Sequence, residues 1–112
     1  MATLFTKIIN GDIPGKIIYQ DELCAAIPDI APQAPTHILI FPKKEIPSVA
    51  HVQPDDQIIL CHLILTAQKI ARDQGLEKSG YRLVVNTGKD AGQTVDHLHV
   101  HLLGGKTMGP LA

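Results

Sequence analysis

The segment Asp96-His97-Leu98-His99-Val100-His101-Leu102-Leu103-Gly104-Gly105 constrains this chain more than any other. Three of the six histidines recur there at i, i+2 and i+4, with Leu98 and Val100 between them. Period two is the period of a strand, so an extended segment puts the three imidazoles on one face and the apolar residues on the other. Such a ribbon turns an apolar back to a core and offers groups that titrate near neutrality, each able to act as nucleophile, acid, base or metal ligand.

The rest of the chain has to build what this ribbon faces. Its 112 residues make one domain, 1–112, large enough for a single core without staples. A net charge of −1 with both signs interspersed gives no field for nucleic acid or a membrane surface, so an anion must be bound locally. Cys24 and Cys61 sit in apolar sequence and not in a Cys-x-x-Cys pair, which reads as two reduced core thiols. The first residues lack a basic region followed by an apolar run, and no segment approaches the roughly 20 apolar residues of a membrane span. A cytoplasmic protein is the expectation.

In chain order, Thr3 or Thr6 caps a short helix carrying Leu4, Phe5, Ile8 and Ile9, which Asn10-Gly11-Asp12 ends. Ile17-Ile18-Tyr19 and Leu23-Cys24-Ala25-Ala26-Ile27 form a hairpin closed by Pro28. Two prolines make Asp29-Ile30-Ala31-Pro32-Gln33-Ala34-Pro35 a loop that delivers Asp29 and Ile30 to a surface. Thr36-His37-Ile38-Leu39-Ile40-Phe41 is a strand rich in branched residues, with His37 its one polar ring. A polar connection, Lys43-Lys44-Glu45-Ile46-Pro47-Ser48, leads to Pro54, Asp55 and Asp56, which suit the first turn of a long helix over 57–74. That helix is too apolar for one exposed face and predicts a homodimer interface. Tyr81-Arg82-Leu83-Val84-Val85-Asn86 is a further strand. The loop Thr87-Gly88-Lys89-Asp90-Ala91-Gly92-Gln93 then returns the chain to the histidines and brings Asn86 and Thr94 near them. The fold class is α+β: an antiparallel sheet of about five strands with one short and one long helix, both helices on one side.

Strand geometry places successive histidines about 7 Å apart and the outer pair roughly 13 Å apart. Zinc–nitrogen bonds are roughly 2 Å long, so His97 and His101 would not reach one ion without bending the strand, and no fourth ligand lies nearby. One nucleophilic imidazole held by its neighbours, with the 88–94 loop offering backbone N–H groups to a phosphate, fits the parts better.

The string His97-Leu98-His99-Val100-His101-Leu102-Leu103 resembles the signature of the histidine triad family of nucleotide hydrolases and transferases. Phe5 with Lys7-Ile8-Ile9, Ile13-Pro14, the run from Asp29 to His37, and Gly92-Gln93-Thr94-Val95 resemble the same family, so the likeness covers nearly the whole chain. The branch it is most similar to is the histidine triad nucleotide-binding proteins, small homodimers that hydrolyse purine nucleoside phosphoramidates without a metal or other required cofactor. The sheet would then extend across a homodimer.

By that resemblance His99 attacks the α-phosphorus and forms a nucleotidyl-histidine that water resolves. The carbonyl of His97 holds its Nδ1–H. His101 holds phosphate oxygen, and His37 supports the triad from the adjacent strand. Thr94 and the amide of Val95 bind the phosphate and leaving group, with Asn86, Gly92 and Gln93 nearby. Asp29 accepts the ribose hydroxyls, since a carboxylate suits paired O–H donors. Phe5, Ile8, Ile27 and Ile30 line the base pocket.

The chain departs from the pattern at Thr94, where relatives often carry serine, at Ile27, where an aromatic often stacks on the base, and in a tail without tryptophan. His51 and His62 have no motif partner and read as structural, and Lys43-Lys44 reads as a solvated turn. Three functional classes follow: a phosphoramidate hydrolase working through His99, a nucleotide-binding interaction module with little turnover, and a zinc-binding protein built on the histidine ribbon.

Overall fold

The computed structural model describes residues 2–111. Its centre is a five-stranded antiparallel sheet in the order β1-β2-β3-β5-β4. The strands are β1 (Tyr19–Gln20), β2 (Cys24–Pro28), β3 (Thr36–Pro42), β4 (Tyr81–Val84) and β5 (Val100–Gly104). Branched residues favour β3, and prolines end both β2 and β3 where a ladder would need an N–H. The β1–β2 hairpin turns on Asp21, whose Oδ1 accepts the amides of Leu23 at 2.8 Å and Cys24 at 2.9 Å.

The two helices lie on opposite faces of the sheet, not on one. The long helix, α2 (Gln57–Asp73), buries Leu63, Ala67, Ile70 and Ala71 against Ile38, Ile40, Leu98, Val100 and Leu102. The short helix, α1 (Leu4–Ile9), drives Phe5 and Ile8 onto Ala25, Ile27, Leu39 and Phe41 on the other face. Composition could not decide this, because both sheet faces are apolar at the middle strands. Thr3 is the N-cap of α1, its hydroxyl oxygen accepting the Thr6 amide at 3.2 Å. A 3-10 turn, Pro54–Asp56, leads into α2, with the Asp56 carboxylate accepting the Gln53 amide at 2.9 Å.

The histidine ribbon is only partly a strand. β5 begins at Val100, so His97, in a bend where its amide returns to the Val95 carbonyl at 2.8 Å, and His99 both precede the ladder. The alternation holds: Leu98, Val100 and Leu102 pack under α2, while His97 and His99 stand on the α1 side against Phe5. β4 likewise stops at Val84, two residues before Asn86. Cys61 is a second correction, being exposed on α2, whereas Cys24 is buried. No helix among the described residues is long and apolar enough to cross a membrane.

Candidate active site

A cleft of about 530 Å³ opens on the α1 side of the sheet. Phe5, Ile8, Ile27, Asp29 and Ile30 line it, facing Thr94, Val95, His99 and His101. The Phe5 ring stacks on Phe41, centroids 4.4 Å apart, and meets His99 edge-on at 5.2 Å. Ile30 is fully exposed at the rim.

The hydrogen-bond network fixes the protons of all four site histidines, because a carbonyl only accepts and an amide only donates. Nε2 of His97 lies 2.7 Å from the Pro42 carbonyl, so it carries the proton, and Nδ1 accepts from the Thr3 hydroxyl at 2.6 Å. Nδ1 of His99 lies 2.7 Å from the His97 carbonyl and must be the N–H. The lone pair of His99 therefore sits on Nε2. The Gln33 amide donates to Nδ1 of His37 at 3.0 Å, so His37 carries its proton on Nε2 and donates it to Nδ1 of His101 at 2.9 Å. That leaves His101 with an Nε2–H donor. The rings of His99 and His101 are 4.9 Å apart, so a lone pair and a proton donor stand side by side on the cleft wall.

Burial favours the neutral form of His97, His37 and His101. Desolvation pushes His97 and His37 below the usual imidazole value, and burial with the neighbouring His99 and His37 lowers His101 to about 4. Asp29 is oriented by the Ala31 amide on Oδ1 at 2.9 Å, and its Oδ2 stands 3.4 Å from Nε2 of His37.

The remaining residues singled out from the sequence lie beside the cleft. Gly92 is the left-handed turn residue of the loop, at φ 87°, a conformation glycine adopts without strain. The Gln93 side chain braces that loop, accepting from the Gly88 amide at 2.9 Å and donating to the carbonyls of Pro47 at 2.7 Å and Val95 at 3.0 Å. Amides of Gly92 and Gln93 are paired within the loop, to Lys89 and Gly88. Asn86, beyond the end of β4, is not among the lining residues. Ile13 and Pro14, which carried only the family resemblance, also line the cleft, as do Leu39 and Lys16, to which the sequence alone assigns no site role. Thr3, read from the sequence only as a cap, also meets His97, a contact that spans 94 positions and that no local pattern announces.

Two groups of potential metal ligands gather among the described residues: Asp29 with His37 and His101, and Asp21 with Cys24 and His62. In the second, His62 and Tyr19 both bond Oδ2 of Asp21, at 2.6 and 2.8 Å, which ties α2 to the first hairpin. His97 belongs to neither group, and both its ring nitrogens have protein partners.

Residues 10–108 match the model of the HIT domain. The chain belongs to the HIT domain family. Purine nucleoside phosphoramidase of Escherichia coli strain K12 is 50% identical to it over 109 residues, covering 97% of this chain and 92% of that protein. Among solved structures, a HIT family hydrolase from Legionella pneumophila superposes with TM-score 0.93 at 45% identity, covering 96% of each chain. A HIT family hydrolase from Clostridium thermocellum does so with TM-score 0.92 at 48% identity, covering 96% of this chain and 94% of that one.

Proposed function

We propose that this HIT protein is a nucleoside phosphoramidase, hydrolysing purine nucleoside 5'-phosphoramidates of the AMP-NH2 or AMP-lysine type through a covalent intermediate on His99. The observation that carries the reading is the proton arrangement at the cleft: an imidazole held at Nδ1–H by the His97 carbonyl, with its Nε2 lone pair beside the Nε2–H of His101. A fixed tautomer is what a nucleophilic imidazole needs. The name of the Escherichia coli relative points to the same bond.

In this reading Nε2 of His99 attacks the α-phosphorus and the P–N bond breaks. The leaving nitrogen takes a proton from solvent and departs as the amine, and the His99 ring, now bonded at both nitrogens, carries positive charge against the His97 carbonyl. Water then attacks the phosphorus as the bond to His99 breaks, the electron pair returns to Nε2, the water's proton passes to solvent, and AMP departs. His101 donates to a phosphate oxygen, Thr94 and the Val95 amide hold the phosphate and leaving group, and Asp29 takes the ribose hydroxyls. The base lies between Phe5, Ile8, Ile27 and Ile30. Every one of these roles uses a group this chain supplies, so we propose that no metal or cofactor is required. The protein works in the cytoplasm as a homodimer, joined through the outer face of α2.

Hydrolysis of adenosine 5'-phosphoramidate by wild type and His99→Ala, both with a chelator, tests this. Turnover by wild type alone, with AMP still bound by the variant, is the expected result. Turnover lost to the chelator would favour the zinc reading, and AMP binding without turnover by wild type would favour a binding module.

A further inference from the structure

We propose that Thr3, Thr6 and Glu45 are positioning residues for the nucleophile, pinning the tautomer and place of His97 and, through its carbonyl, the Nδ1–H of His99. The inference rests on the reading of His99 as the attacking group.

His97 is wholly buried, its ring edge-on to Phe5 and Phe41 at 5.4 and 5.7 Å. With Nε2–H given to Pro42, the Nδ1 lone pair lies where water does not reach and needs a donor. Thr3 supplies it at 2.6 Å. A hydroxyl has one proton, so the Thr3 oxygen then acts only as acceptor, and it receives the Thr6 amide at 3.2 Å. The Thr6 hydroxyl gives its proton to Oε2 of Glu45 at 2.8 Å, and the Thr3 amide gives its own to the same oxygen at 2.7 Å. Each proton is used once, and the donors run outward from the first turn of α1, to Glu45 on one side and to His97 on the other. The amide of Thr3 and hydroxyl of Thr6 also hold the Glu45 carboxyl below its usual value, keeping it an acceptor.

The relay joins three parts of the chain at one ring: the first turn of α1, the connection after β3, and the triad segment. A ring anchored at both nitrogens cannot turn, and because His99 is held by the backbone of the same residue, the attacking nitrogen inherits that constraint. Glu45 is exposed, so the outer end of the relay is open to substitution without disturbing the core.

Long-range proton–nitrogen correlation spectra of 15N-labelled protein read the tautomers directly. Wild type is expected to show His97 protonated at Nε2, with a strongly hydrogen-bonded Nδ1, and His99 protonated at Nδ1. Thr3→Val keeps the branched shape but lacks the hydroxyl. It is expected to shift His97 Nδ1 and to lower kcat on the order of 10–100-fold, the loss seen when groups that orient a working imidazole are removed, with KM little changed. Thr3→Ser is expected to restore both signals, and Glu45→Gln to fall between. If Thr3 merely caps α1, Thr3→Val lowers the melting temperature but leaves kcat and the ring-nitrogen shifts as in wild type below it, and the relay is overturned. If wild type turns over no phosphoramidate, the hydrolase reading fails while the ring-nitrogen shifts still decide the relay.

Discussion

Asp29 is the one carboxylate among the described residues that line the cleft. Its Oδ1 is turned by the Ala31 amide and its Oδ2 lies on the cleft side, 3.4 Å from His37. A carboxylate held in that way suits two vicinal hydroxyls. Asp29→Ala should weaken AMP binding by about 1.5–3 kcal/mol, the worth of hydrogen bonds to a charged group, and leave 2',3'-dideoxy-AMP unaffected; calorimetric titration of both ligands checks it. Gly104 is constrained differently, since a Cβ there would stand 2.6 Å from a methyl of Leu76. Gly104→Ala should cost about 1–3 kcal/mol by overpacking, read as a lower denaturant midpoint. At this scale the sequence was legible for the residues that carry a local motif. His97, His99 and His101 announce themselves by spacing, whereas Thr3 and Glu45 act only through contacts 94 and 42 positions apart, in chain that reads as a cap and a polar connection.

Elements were legible where one period runs long. The helix over 57–74 is found as Gln57–Asp73, because proline and acids open it and Gly75 stops it. β3 was equally plain, a run of branched residues between prolines. The histidine ribbon was over-extended as a strand: period two survives through His97, but pairing with β3 starts only at Val100, since the amides before it go elsewhere, His97 to the Val95 carbonyl at 2.8 Å and Leu98 to the Ile46 carbonyl at 2.6 Å. The placement of α1 was missed because a six-residue helix does not say which sheet face it covers. Leu63, 1% exposed at the centre of the α2 contact, tests the larger core. Leu63→Ala should cost about 2–5 kcal/mol with the cleft unchanged, so urea unfolding should shift while AMP affinity holds.

For the molecule as a whole, the outer stripe of α2 is the main unsatisfied surface. Ile58 is 75% and Leu65 55% exposed, and Cys61 lies between them at helical spacing. Leu65→Glu should give a monomeric mass in light scattering where wild type gives a dimer, and a monomeric wild type would sink the homodimer. Stability should also fall on acidification. An unfolded imidazole takes its proton near 6.5, whereas folded His101 does so only at about 4 and His37 and His97 are shifted the same way. Between those values the unfolded chain binds more protons, so stability is full above the upper one and drains away toward the lower. The melting temperature should therefore drop as pH falls through that interval, and less steeply in His101→Gln; a flat profile would contradict neutral buried rings.

The two sides of the ribbon answer to different demands. Leu98, Val100 and Leu102 belong to the core under α2, and the histidines between them belong to the cleft. Natural variation can therefore tune the heat tolerance of such a chain through its aliphatic residues while the imidazoles stay in place, and the cleft rim can change without renegotiating the core. Only a change in chain length within the ribbon would force both at once, since a shift of one position would exchange each imidazole for leucine or valine.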